Sequence, residues 1–142
     1  MKRRYKITLW TLGGVWVIAM LALTPRFISA HRETDKLQHV FDEYSIALVN
    51  HNFAEAYQFC GSDFRRSLSY DQFVAMQEAL EKQHGKLKSI SLATRDVEGR
   101  GTPPYWTAVI HADFVYEGKS LRFEYVFHQE DGRWLIYGGE KL

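Results

Sequence analysis

Residues 105–129 read YWTAVIHADFVYEGKSLRFEYVFHQ, and folding this stretch back on itself at Glu117-Gly118 decides the fold. A two-residue loop there sets Tyr116 opposite Lys119. Counting outward pairs Phe114 with Leu121, Ala112 with Phe123, Ile110 with Tyr125 and Ala108 with Phe127. On the other face Asp113 meets Arg122 and His111 meets Glu124. Apolar side chains meet apolar ones on one face and opposite charges meet on the other, each cross-strand pair contributing roughly 0.2–1 kcal/mol. A slip of one residue would destroy both patterns, because side chains alternate with a period of two. The stretch is a β-hairpin with one face turned to a core.

A second turn, Asp131-Gly132, carries the count into a strand over 130–138 and puts Ile136 beside Phe127 and Trp134 beside Gln129. Both turns end in glycine, which is read as supplying the positive φ of tight hairpins. The inner face then carries Trp106, Ala108, Ile110, Ala112, Phe114, Leu121, Phe123, Tyr125, Phe127, Trp134 and Ile136. The outer face gains Leu135 and Tyr137 next to Val126 and Val109. Those four form an apolar strip among charged neighbours, a candidate interface for a second copy or an envelope protein.

Upstream of the hairpin, residues 99–104 (GRGTPP) read as a loop. A first strand within 86–97 turns Ile90 and Leu92 inward. Before Gly85 the apolar period changes to that of helices. Leu37, Val40, Phe41, Tyr44 and Leu48 mark one face of a helix ending at 50–52. A short second helix starts at Asn52 with Glu55 closing a capping box, carries Phe53, Ala56, Tyr57 and Cys60 inward, and stops at Gly61. Ser69 and Gln72 form another capping box for a third helix. It runs to His84 with Tyr70, Phe73, Val74 and Leu80 on one side and Gly85 as its stop.

Residues 7–23, ITLWTLGGVWVIAMLAL, carry no charge, and Lys2, Arg3, Arg4 and Lys6 precede them. As a helix this run covers about 26 Å, near the lower limit for spanning a bilayer. The flanking cations keep the N-terminus in the cytoplasm and send the rest outside. The reading is a single-pass anchor over residues 1–30 in the cell (inner) membrane, then a periplasmic or extracellular domain over 31–142. A cleaved signal peptide is the rival, with Ile28-Ser29-Ala30 loosely resembling a cleavage box. The apolar run exceeds the usual signal length and Ile fits poorly where a small residue is wanted.

The 18 basic and 17 acidic residues balance to +1, which argues against nucleic acid as a partner. The one cysteine, Cys60, rules out an intrachain disulfide and reads as a small buried hydrophobe. His31, His39, His51 and His84 share no metal-ligand spacing, and no metal or cofactor is expected. His111, Asp113, Glu124 and His128 point away from the inner face, so no catalytic residue is assigned. Asp63, Arg65 and Arg66 read as a solvated loop between the second and third helices.

Three helices followed by an antiparallel meander resemble the nuclear transport factor two-like (cystatin-like) cone fold. The likeness lies in Asn52-Phe53-Ala54-Glu55-Ala56-Tyr57, in Gly85-Lys86-Leu87-Lys88-Ser89 and in Asp131-Gly132-Arg133-Trp134-Leu135-Ile136. Over residues 35–142 the chain looks like small exported bacterial domains of that superfamily. The resemblance implies an α+β fold in which three helices pack on a curved four-stranded sheet. It also implies a pocket inside the cone, built here from Tyr44, Tyr57, Trp106, Ile110, Phe114, Phe123, Tyr125, Phe127 and Trp134. The fold hosts isomerases and dehydratases, ligand carriers and assembly modules, and anchored versions look like the inner-membrane scaffold subunit of type IV secretion systems. The expectation is a non-catalytic domain binding a protein or a small apolar ligand. The alternatives are an isomerase- or lyase-like enzyme using Tyr44, Tyr57 or His51, and an assembly scaffold.

The anchor reading is checked by fusing to Leu142 a reporter active only outside the cytoplasm. It should be active, and the full-length chain should fractionate with membranes. A soluble product starting near His31 would overturn the anchor but not the export.

Overall fold

The computed structural model describes residues 6–101 and 104–142, with side chains from Ile28 onward except at 102 and 103. The side chains of the apolar 7–23 segment lie outside the described residues. Among the described residues no helix is long and apolar enough to cross a membrane. The chain divides into two compact units, Met1–Glu33 and Thr34–Leu142. The elements are α1 (Lys6–Val49), α2 (Phe53–Gln58), α3 (Ser62–Ser67), α4 (Tyr70–His84), β1 (Leu87–Arg100), β2 (Tyr105–Tyr116), β3 (Ser120–Glu130) and β4 (Arg133–Lys141). The class is α+β, with one open antiparallel sheet in the order β1-β2-β3-β4.

The β2–β3 register is the one the sequence requires. Phe114 pairs with Leu121, Ala112 with Phe123, Ile110 with Tyr125 and Ala108 with Phe127. Asp113 pairs with Arg122, whose Nε lies 2.7 Å from Asp113 Oδ1. The inner residues Ala108, Ile110, Ala112, Phe114, Leu121, Tyr125, Phe127, Trp134 and Ile136 share one core with Leu37, Phe41, Tyr44, Ala47 and Leu48 of α1, Ala56 of α2 and Phe73 of α4.

The turns reach the same end by different means. Asp131 (φ 51°) and Gly132 (φ 76°) both adopt positive φ, as a type I′ hairpin demands. Gly118 does not. It is needed for close approach instead: its N–H donates to the His84 carbonyl at 2.9 Å, and a Cβ there would lie 3.1 Å from that oxygen. The hairpin tip is thereby pinned under the end of α4. Gly85 stops α4 at φ 87° and ψ 178°, a region open essentially to glycine alone.

The helical half departs from expectation in several places. The helix bearing Leu37 begins well before residue 37, since all of Thr34–Val49 is helical. It ends in a Schellman motif: His51 N–H donates to Leu48 and Asn52 N–H to Ala47, with His51 at φ 58°. Asn52 does not cap α2 with its side chain. Its amide instead donates to Glu55 Oε2, so the expected box is only a side-chain pair. The Ser69–Gln72 capping box forms in both directions. Tyr70 is exposed rather than on the buried side, its ring lying edge-on to Tyr57.

Residues 62–67, read as part of a loop, form α3. Three contacts hold it. Gly61 N–H donates to the Ile136 carbonyl and Ile136 N–H to Phe59, so residues 59–61 line the free edge of β4. Glu130 Oε1 accepts from Ser62 N and Oγ at the start of the helix. Arg65 donates to the carbonyls of Tyr57 and Gln58 and lies over the Tyr57 ring. These partners come from distant parts of the chain, which is why six residues suffice for a helix.

The strands also run longer than the pattern suggests. β1 continues through Gly99 and Arg100, where the sequence predicts a loop, and the Trp106 ring packs where a Gly99 Cβ would stand. A bulge between Leu92 and Thr94 turns Thr94 toward His111 on the outer face and Arg95 back toward Gln38 of α1. β4 extends to Lys141, with a bulge of its own that pairs Phe127 with Ile136 but Val126 with Gly138.

Trp134, 2% exposed, should be among the costliest side chains to truncate. Trp134→Ala is expected to lower stability by about 3–5 kcal/mol, whereas Asp113→Ala, at a solvent-exposed ion pair, should barely move the denaturation midpoint. Equal losses in a denaturant titration would overturn the face assignment.

Candidate ligand site

A cavity of about 510 Å³ lies between the helices and the sheet, inside the rough range of 300–1,000 Å³ typical of small-molecule sites. Its sheet wall is a cluster of rings. Phe114 and Phe123 lie 4.7 Å apart, and Phe114 stacks on Tyr125 at 6.0 Å. Gly139 makes room for this wall, since a Cβ there would fall 3.0 Å from the Tyr125 ring. From α1 comes Tyr44, one turn beyond Phe41 on the buried stripe, its ring edge-on to Tyr125 at 5.8 Å. The helical wall is Phe64, Ser67 and Leu68 from α3 and its end, then Phe73, Met76, Gln77 and Leu80 from α4. Residues 137–141 of β4 complete the lining.

Of the residues expected to line a pocket, Tyr44, Phe114, Phe123 and Tyr125 do so. Tyr57, Trp106, Ile110, Phe127 and Trp134 lie outside this cavity. Ile110, Phe127 and Trp134 are packed solid, at 0%, 0% and 2% exposure, against one another and α1. Tyr57 turns its hydroxyl to the Leu68 carbonyl at 2.7 Å and so holds the end of α3. One end of the inner face is thus filled and the other hollow. Sequence reading missed the α3 lining because α3 itself depends on tertiary partners. Gln77 was legible: it stands four residues after Phe73 and three before Leu80, a polar residue in the middle of an apolar stripe.

The polar groups of the cavity are few. The Tyr44 hydroxyl donates to that of Tyr125 at 3.5 Å. Burial, and then the proximity of Tyr125, hold the Tyr44 phenol well above its ordinary value. Burial likewise raises Tyr125. Both remain protonated donors across the physiological range. Gln77 is 5% exposed.

Outside the cavity several titratable groups serve as struts, whereas His84 Nε2 and the Tyr116 hydroxyl are buried without a hydrogen-bond partner among the described residues. His51 Nε2 lies 2.8 Å from Glu81 Oε2, and Glu81 Oε1 accepts from Leu87 N–H, joining the end of α1 to α4 and β1. Asp63 accepts from Tyr137 and pairs with Arg66, so the stretch expected to be a solvated loop is a strut against β4. On the outer face His111 bridges Thr94 and Glu124, at 2.7 and 2.8 Å, linking three strands on an open surface. Val109 pairs directly with Val126 there and Leu135 pairs with His128. Tyr137 sits in the β4 bulge, stacked on His128 at 4.0 Å, rather than beside Val126. Among the described residues no cluster of three or more His, Cys, Asp or Glu could hold a metal ion.

Neither a protein-family model nor a characterised protein matches this chain.

Cys60 is 1% exposed, and burial pushes its thiol to about 12 despite the partly opposing charge of Arg65. A thiol so protonated is a poor nucleophile. The folded protein should therefore be inert to an aromatic disulfide reagent at pH 8 and titrate one thiol after denaturation. Fast labelling of the native state would contradict the burial.

Proposed function

We propose that residues 34–142 form a non-catalytic binding domain for a small apolar ligand. The domain is held outside the cytoplasm by a single-pass anchor at 7–23 and built on the nuclear transport factor two-like cone plan. The observation that carries this reading is the ring-lined cavity of about 510 Å³ beside a solidly packed core. Side chains as large as those of Phe127 and Trp134 close one end, while at the other Gly138 and Gly139 contribute none to the wall. An apolar guest gains about 25 cal/mol for each Å² it removes from water, and the preformed rings need no reordering to receive it.

The enzyme reading has less support. Tyr57 is committed to Leu68 and His51 to Glu81, which leaves Tyr44, whose phenol burial holds well above its ordinary value and so disfavours it as a base near neutral pH. Docking of a protein on the outer face rests on Val109 and Val126 together with Tyr105, whose hydroxyl contacts His128, a weaker basis than a formed cavity.

Benzophenone, a neutral photoreactive diaryl ketone, tests the cavity on the full-length chain. Its labelling should saturate and map by mass spectrometry to Met76, Leu80 and their neighbours. Leu80→Trp, which fills the cavity, should abolish the saturable labelling while the protein stays folded. Labelling that never saturates, or that spreads evenly over the surface, would rule the binding site out.

A further inference from the structure

The polar groups of the cavity say more about the guest than its volume does. Gln77 lines the cavity at 5% exposure, and its side-chain amide makes no hydrogen bond to any described residue. The amide is open to whatever occupies the cavity, and a guest that fills the space without matching it would leave it buried and unpaired, which is costly. Gln77 sits at mid-helix in α4, where the capping box at Ser69 and the Gly85 stop fix the helix ends. Its place in the wall is therefore rigidly set.

The Tyr125 hydroxyl belongs to the same wall. It accepts from Tyr44, so its own proton has no acceptor among the described residues. The cavity thus presents two donors, the Gln77 NH₂ and the Tyr125 O–H, against one amide acceptor, Gln77 Oε1. The charged residues in the lining are Glu140 and Lys141, both exposed on the last residues of β4. An anionic headgroup carried to the depth of Gln77 would lose its hydration and meet no cation there.

Resting on the reading of the cavity as a ligand site, we propose that its guest is a neutral, mainly apolar molecule bearing a carbonyl group. The carbonyl oxygen accepts from the Gln77 amide, with the Tyr125 hydroxyl as the second donor. The ring wall of Phe114 and Phe123 takes the apolar body, and Gln77 selects which apolar bodies are held. An apolar guest without an acceptor leaves both donors buried and unmatched. A carboxylate must give up water without gaining a counter-charge. Discrimination by unmatched buried donors is stronger than discrimination by shape in an apolar pocket.

The test is competition against saturable benzophenone labelling of the full-length chain, with three compounds of one shape: fluorenone, fluorene and fluorene-9-carboxylate. Fluorenone should compete at a concentration about tenfold lower than either of the others, the factor expected when a buried donor is matched rather than left bare. Gln77→Leu should bring fluorenone and fluorene to within about twofold of each other. Tyr125→Phe, which keeps the ring and removes the hydroxyl, should lose part of the preference. Thermal melts of both variants confirm that the domain is folded. Saturable labelling with equal competition by all three compounds, or a fluorenone preference that survives Gln77→Leu, overturns the carbonyl assignment and leaves the cavity reading standing. Absence of saturable labelling overturns both.

Discussion

The pairing of β2 with β3 is the constraint on which the rest of the domain depends. Strand side chains alternate, so choosing Phe114 opposite Leu121 assigns every residue from Ala108 to Phe127 to a face at once. The inner face is then apolar enough to need a cover, and Leu37, Phe41, Tyr44 and Leu48 of α1 supply it at helical spacing. The hairpin tip is fixed to the helices as well. Gly118 meets the last carbonyl of α4, and the Glu117 N–H donates to Lys86 at the entry to β1. One turn thus sets the ends of α4, β1 and β2 relative to each other.

From that frame the hollow at one end of the inner face follows by geometry. Large side chains fill the sheet around Phe127, Trp134 and Ile136, where α1 and Ala56 press closely. Toward the end of β4, Gly138 and Gly139 add no side chain to the wall, and the cover passes from the long α1 to the short α3 and the face of α4. A helix of six residues cannot cover as much sheet as α1 does. The space left is bounded by rings below and by Gln77 above. The interior therefore divides into a core that supplies stability and a cavity available for recognition.

The struts around α3 explain why this arrangement is held. Glu130 reaches the first residue of α3, Arg65 ties it back to α2, Tyr57 holds the Leu68 carbonyl, and Tyr137 meets Asp63. Ordinary surface pairs contribute little by themselves. Here they share one short element, with the Gly61–Ile136 backbone bond as its hinge to the sheet. The same residues protect the edge of β4, since chain 59–61 occupies part of it.

The sequence by itself determined the β2–β3 register, the inner and outer faces, the Ser69 capping box and the apolar stripe of α1. Each rests on spacing between residues close along the chain, where periods of two and of about 3.6 leave one solution. It also carried the odd polar residue, Gln77, in the stripe of α4. What only the tertiary structure decided was α3, the bulges at Ala93 and Tyr137, the extra length of β1 and β4, and the division of the inner face into packed and hollow halves. Those features depend on partners far apart in sequence, such as Glu130 with Ser62, Trp106 with Gly99 and Gly139 with Tyr125. Alternation says which side of the sheet a residue faces. Whether that side is filled depends on the volumes brought opposite it, and no spacing rule contains them.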